Sequence, residues 1–310
     1  MLRYSADIQT LITVVSLFGL IVLQWTWTPP TVWISALLVV VTCANSFLIA
    51  VASHNAVHSP VFRRQWLNSL FQVVLTLGYG HPVSAFVSGH NLSHHRYLQS
   101  PRDAMRTGKL RFKWHLLNVL LLPVVVGGAI FKINIKYFKV MRKRNPPLFR
   151  QFMLETSVIV VFVSALLVTD PFKFIYTIFI PYQYAVWAIT ATNMIQHDGC
   201  DENSKWNHSR NFVGPVLNFF CFNNGFHTIH HMHPGLHWSL TREAHWRVVS
   251  PHIHPALEQR HFCQWVLRAF FLPGVRETYD GRPVVLGPLL PDEDWVDTVQ
   301  EFSKDLGAIT

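Results

Sequence analysis

The sequence predicts an all-α integral membrane protein: two transmembrane helical hairpins, interfacial helices, and a helical cap holding a histidine-rich metal site. Three observations predict it. Apolar residues make up 50% of the 310, and the mean hydropathy of +0.23 is too high for an ordinary soluble chain. Four apolar runs are long enough to cross a bilayer. Spaced histidine groups fall at or beyond the ends of those runs, all toward one side of the membrane.

Crossing the hydrocarbon takes about 20 mostly apolar residues. Residues 8–28, 31–52, 152–169 and 171–192 qualify and form two hairpins, turning on TPP at 28–30 and DP at 170–171. The first run has no basic leader followed by a cleavage site, so it is expected to be a retained span.

Short basic loops stay cytoplasmic, and this sets the orientation. Residues 59–113 hold eight basic residues and one acid, Asp103, and residues 132–150 hold seven basic residues and no acid. The hairpin turns offer only Asp170 and Lys173. The expectation is four spans with residues 53–151 and 193–310 in the cytoplasm. Two further apolar segments, 66–88 and 114–131, would put basic stretches on the wrong side if either crossed alone. Gly78, Gly80 and Pro82 in one, and Pro123, Gly127 and Gly128 in the other, also weaken a clean helix. Both are read as interfacial or re-entrant.

Residues 193–310 contain no run long enough to span and are expected to form the cap of a single domain, 1–310. The acidic stretch 292–305, DEDWVDTVQEFSKD, reads as a solvated amphipathic tail. Segment 132–150 could contact anionic headgroups, the phosphates of a coenzyme A thioester or an acyl carrier protein, although positive-inside anchoring alone accounts for it. The net charge of +9 is spread between apolar stretches and forms no nucleic-acid-binding module, so nucleic acid is not an expected partner. Cys43, Cys200, Cys221 and Cys263 make no CxxC pair and no disulfide framework.

The histidines carry the chemistry. SHNAVHSP places His54 and His58 four apart, on one helical face. GHNLSHHRYLQSPRD gives His90, His94 and His95, and TNMIQHDG sets Asn193 and His197 in the same i, i+4 relation. GFHTIHH supplies His227, His230 and His231, within a stretch of five histidines in eleven residues from His227 to His237. Nine such histidines exceed the three or four ligands of one zinc ion and point to two metals; imidazole suits iron, zinc and copper alike. No ExxH pair of a carboxylate di-iron bundle is present.

The ordered set HNAVH, HNLSHH, NMIQH and HTIHH resembles the integral-membrane fatty acid desaturase and hydroxylase superfamily over about residues 30–250. The resemblance implies two transmembrane hairpins, a cytoplasmic cap and a non-haem di-iron centre that uses O2. It implies that His54, His58, His90, His94, His95, His197, His227, His230 and His231 ligate two Fe ions, with Asn193 holding one iron directly or through water. GFHTIHH is most similar to acyl desaturases. The middle box has three residues between its first histidine and the pair, where many acyl desaturases have two, and NMIQH is similar to alkane hydroxylases.

Asp103, Asp198 and Asp201 are candidates to accept hydrogen bonds from ligand imidazoles. His233 and His237 miss the box spacing and are candidate outer donors; His81, His115, His208, His245, His252, His254 and His261 receive no role. The resemblance implies a fatty acyl desaturase first, and a lipid, alkane or carotenoid-type hydroxylase or ketolase second. The substrate would be a lipid or acyl chain, free or linked to coenzyme A or a carrier protein. No electron-transfer domain is read in the chain, so an external ferredoxin, rubredoxin or cytochrome b5 with its reductase is expected. A bacterial inner membrane is favoured over endoplasmic reticulum. The rival from another class, a non-catalytic membrane metal-binding protein, would line its spans with ionisable ligands. Here the span interiors hold almost none, Glu155 near the start of the third span being the exception.

Overall fold

The computed structural model describes residues 1–297 and is mostly helical. Among the described residues, five helices are long and apolar enough to cross a membrane: Ser5–Thr26, Val32–His58, His115–Arg144, Pro146–Thr169 and Pro171–His197. Their outer faces carry exposed apolar side chains such as Ile12, Val15, Trp33, Leu37, Val124, Val161 and Val168, where a soluble helix would carry charge. A further pair, Gln65–Tyr79 and Val83–Tyr97, meets the same test only as a broken segment. Among the described residues the chain divides into two compact units, Met1–Phe86 with Phe138–Ile189, and Val87–Tyr137 with 190–297.

In the first unit, α1 (Ile8–Thr26) and α2 (Val32–His58) form the first hairpin. Thr31 caps α2 by accepting from the Ile34 N–H, and Gln24 donates to Thr42 across the pair at 2.9 Å. Helix α2 runs past the expected end at residue 52 and so carries both His54 and His58. Helix α3 (Gln65–Tyr79) lies close to α2, where Ser46 donates to the Gly78 carbonyl at 3.0 Å. A side chain at position 78 would press on Ile49 at 3.0 Å.

Helix α3 ends at Gly80, with φ of +86°, and the Tyr182 ring lies 2.3 Å from where a Cβ would stand. Only glycine fits both the left-handed backbone and the ring. This break is why the apolar run 66–88 is not one straight helix. Beyond it, Glu155 holds the turn Val83–Ala85: its carboxylate accepts from the Ser84 N–H at 2.9 Å, the Ser84 hydroxyl at 2.7 Å and the Gln151 amide at 2.8 Å. Three donors satisfy a fully buried carboxyl that would otherwise be costly among apolar helices.

Helix α4 (His115–Arg144) departs from expectation: all but the first residue of the segment 114–131 belongs to one continuous 30-residue helix. Pro123 lies inside it, and neither Gly127 nor Gly128 has a neighbour within 4 Å where a side chain would stand. One proline and two glycines lower the propensity of this stretch without breaking a helix whose other residues are compatible with it. Asn145 then caps α5 (Pro146–Thr169), with proline at its start. Asp170 closes α5 and caps the next helical segment by accepting from the Lys173 N–H at 2.9 Å. That segment runs on as α6 (Ile180–His197), which ends on His197.

The second unit holds a π-helical stretch, Val87–His94, followed by a loop that leads to α4. After α6, two short parallel strands, β1 (Asn211–Phe212) and β2 (Glu258–Gln259), pair Asn211 with Glu258 and Phe212 with Gln259. Between them run α7 (Pro215–Phe220), α8 (His227–Met232) and α9 (Trp238–Ala244). Phe226, Ile229, Ala244, Val249, Ile253 and Leu257 form the core that seats α8. All four cysteines are free.

One expectation is corrected in the acidic stretch. Within residues 292–297 the apolar face is seated and not solvated: Trp295 and Val296 are buried, while the acids around them stay exposed and pair with Arg102, Arg106, Lys109 and Lys136. A tryptophan among the acids supplies the apolar area that holds the segment down. Residues 298–305 of that stretch lie outside the described residues.

Candidate metal centre

Helix geometry decides how the histidines sort. In the first unit, His54 and His58 stand one turn apart on α2, their rings edge to face with centroids 5.1 Å apart. The remaining box histidines belong to the second unit and fall into two sets.

His90, His95 and His230 make the first set. The Nε2 atoms of His90 and His95 are 2.9 Å apart, and the His95 and His230 ring centroids are separated by 4.7 Å. His94, His197, His227 and His231 make the second. There His227 Nε2 lies 2.8 Å from His197 Nε2 and 3.1 Å from His231 Nε2, and the His94 ring stands 4.8 Å from His197 and 4.9 Å from His231. Within each set the candidate ligand atoms lie within 4.8 Å of one another.

Consecutive histidines therefore part company: His94 and His95 join different sets, and so do His230 and His231. Successive helical side chains point about 100° apart, so an HH pair serves two neighbouring positions. The π-helical winding of Val87–His94 explains the longer middle box. Its i→i+5 repeat brings His90 beside His95 and turns His94 toward the second set. The Gly89 backbone sits against Ile130 of α4, 3.2 Å from where a Cβ would stand, and Ser88 donates to Asn134 on the same helix.

The family model for fatty acid desaturases matches residues 26–266, a span that contains every box histidine. The chain belongs to the fatty acid desaturase family. No curated protein matches it.

For a desaturase-family chain the donor chemistry fits two metal ions. Two nitrogens bound to one first-row metal at about 2.1 Å stand about 3.0–3.4 Å apart. The Nε2 separations here are 2.8, 2.9 and 3.1 Å, so the ring nitrogens already converge. Burial, with His95, His227, His197 and His94 around it, pushes the His231 imidazole well below its ordinary pKa. A neutral imidazole is the metal-binding form.

The surroundings select the tautomers. Asp103, fully buried, accepts from His94 Nδ1 at 3.0 Å and from the N–H groups of Gln99 and Met105 at 2.9 and 2.7 Å. Burial alone would raise the Asp103 pKa, but His94 and these hydrogen bonds hold it below the usual carboxylate value. His197 Nδ1 donates to the His208 carbonyl at 3.1 Å. Both arrangements leave Nε2 facing the set.

Asn193 lies one turn before His197; its amide nitrogen donates to the Met105 carbonyl, and its buried oxygen has no hydrogen-bond partner within the protein. Asp198 meets no box histidine. It pairs with Arg276 and lies 3.5 Å from His115 Nε2. Asp201 accepts from Asn203 on the surface. His233 is exposed at the end of α8, and His237 caps α9 by accepting from the Ser239 N–H.

Two residues beside the second set had no role in the sequence reading. Arg210 is buried and donates to the carbonyls of Ile195 at 2.8 Å and Asp198 at 3.2 Å, while its own N–H reaches Gln196. It thereby satisfies the open carbonyls at the end of α6, where His197 sits. The ring of His208 is also buried, 5.5 Å from that of His231. Neither position carries a spacing signal; a lone arginine and an isolated histidine after a loop look ordinary in sequence.

Proposed function

We propose that this chain is an O2-dependent non-haem di-iron oxidoreductase acting on an unactivated C–H bond of a lipid chain, and that it is a fatty acyl desaturase. The observation that carries the reading is the sorting of seven buried or partly buried histidines into two sets with converging ring nitrogens, in a chain of the desaturase family. The proposed ligands are His54, His58, His90, His94, His95, His197, His227, His230 and His231, with Asn193 holding one iron directly or through water.

Two iron ions bound there would supply the oxidising power for C–H removal, with two electrons from an external donor and two protons completing the reduction of O2 to two waters. The protein's own contribution is preorganisation. Asp103 and the His208 carbonyl fix two imidazoles as Nε2 donors, and burial keeps His231 neutral. Apolar helices bring a lipid substrate to the site from the membrane.

The whole chain is proposed to work as one domain, in four spans with its histidines on the cytoplasmic side and α4 at the interface. The seven cations of residues 132–150 support this, since they favour a retained segment. Ferredoxin, rubredoxin or cytochrome b5 with its reductase is the proposed donor, and a bacterial inner membrane the proposed location. The longer middle box and NMIQH support hydroxylation as the second reading.

Mass spectrometry of lipids and hydrocarbons from a host expressing the chain with an electron-donor system tests this, beside a variant carrying both His230→Ala and His231→Ala. Desaturation predicts a new species lighter by two hydrogens that the variant host lacks. A species heavier by one oxygen would replace desaturation with hydroxylation. No new species from an iron-loaded chain would contradict the lipid substrate.

A further inference from the structure

The loop from Gln99 to Lys109 touches two proposed ligands, since Asp103 holds His94 and the Met105 carbonyl holds Asn193. Ser93, between the box histidines, is tied to the same loop: its hydroxyl donates to the Arg102 carbonyl at 2.8 Å and accepts from the Ala104 N–H at 2.9 Å. The loop has little apolar content of its own and carries Arg102, Arg106 and Lys109. Something outside it must fix its shape.

The segment Leu290–Val296 does so. Asp292 bridges Arg106 at 2.8 Å and Lys109 at 2.9 Å, and Glu293 pairs with Arg102 at 3.2 Å. Arg106 also donates to the carbonyls of Pro101 and Leu290, Lys109 to that of Ala104, and the Glu293 N–H to that of Pro101. Each cation thus joins the segment to the loop's own backbone. The side chains of Arg106 and Lys109 are nearly buried, whereas Asp292 is half exposed, so losing Asp292 would strand two buried cations. Trp295, fully buried, stands 6.2 Å from the Tyr97 ring and 6.5 Å from the Tyr137 ring, while Lys136 pairs with Asp294 and Asp297.

We propose that Leu290–Val296 is a clasp for the second histidine set: seated by Trp295, it shapes the loop through which Asp103 and Met105 position His94 and Asn193. Trp295 is a positioning residue two hundred positions along the chain from the histidine it serves. This rests on the reading of the second set as a metal site. The clasp acts on the ion of that set and leaves the His90, His95 and His230 set to other supports.

The test is anaerobic Fe(II) titration of full-length, metal-free protein in detergent against a competing chelator, with the two bound ions resolved by their spectra. Trp295→Ala is expected to weaken one ion by about tenfold or more, and the same ion that Asp103→Asn weakens. Trp295→Phe should restore it. If Trp295→Ala does not fold, Asp292→Asn should weaken the same ion to a smaller degree. A monodisperse Trp295→Ala protein that binds both ions like the wild type, or loses both alike, would overturn the clasp while leaving the di-iron reading intact. A wild-type chain that binds no iron would overturn both.

Discussion

Asp103 Oδ2 lies 3.0 Å from His94 Nδ1, deep inside the second unit, and the same carboxylate takes two backbone N–H groups. An acceptor-only group is required here, because all three partners donate. Asparagine would turn an NH2 group toward at least one of them. Asp103→Asn is therefore predicted to lower affinity for the second set's ion by about 10–100-fold, read by Fe(II) titration. Unchanged affinity would show that the His94 tautomer is set elsewhere.

The π-helical stretch makes a second prediction. A one-residue deletion at Asn91 lets Val87–His94 rewind as an α-helix and brings His90 and the present His95 into an i, i+4 relation. The deletion variant should still bind two metal ions, whereas one extra residue at the same place should cost one ion. Loss of metal on deletion would mean that the π winding itself is needed.

Arg210 closes the end of α6 beneath His197, with its guanidinium 4.3 Å from the Trp265 ring centroid. Arg210→Ala removes charge-assisted bonds to buried carbonyls and should destabilise the protein by about 2–4 kcal/mol. Thermal unfolding in detergent reads the loss. Arg210→Lys should not restore it, because an ammonium cannot span the same carbonyls in a plane.

Acid should weaken the metal-free protein. Burial lowers His208 from an ordinary 6.5 to about 4 and holds His231 well below its ordinary value. Between about pH 6.5 and 4 the unfolded chain binds more protons than the native one, so stability falls as pH falls through that window. The His208 share is on the order of 1–3 kcal/mol. Melting temperatures at about pH 7 and pH 5 should differ, and His208→Asn should narrow the difference. An equal difference in the variant would contradict this account.

The helices that carry the histidines were legible because their signals are local. Apolar runs, the turns at 28–30 and 170–171, and the i, i+4 spacing of His54 with His58 and Asn193 with His197 all lie within a few residues. The continuity of α4 was not, since Pro123 and two glycines argue locally against it. The seating of Trp295 beside Tyr97 depends on contacts that no periodicity encodes, as does the hold of Arg210 on Ile195. Acidic residues around a tryptophan look solvated until the cations that meet them are known. The division of each HH pair between two sets was implicit in helix geometry, but it becomes visible only when the π turn shows where His90 points.

Iron content per chain, measured by mass spectrometry on protein purified without added chelator, tests the central claim most directly. The account predicts two irons in the wild type and about one in His230→Ala and in His231→Ala. The two variants should keep different ions, with different spectra, because these neighbours belong to different sets. Wild-type protein without iron, or two variants that retain the same ion, would contradict it.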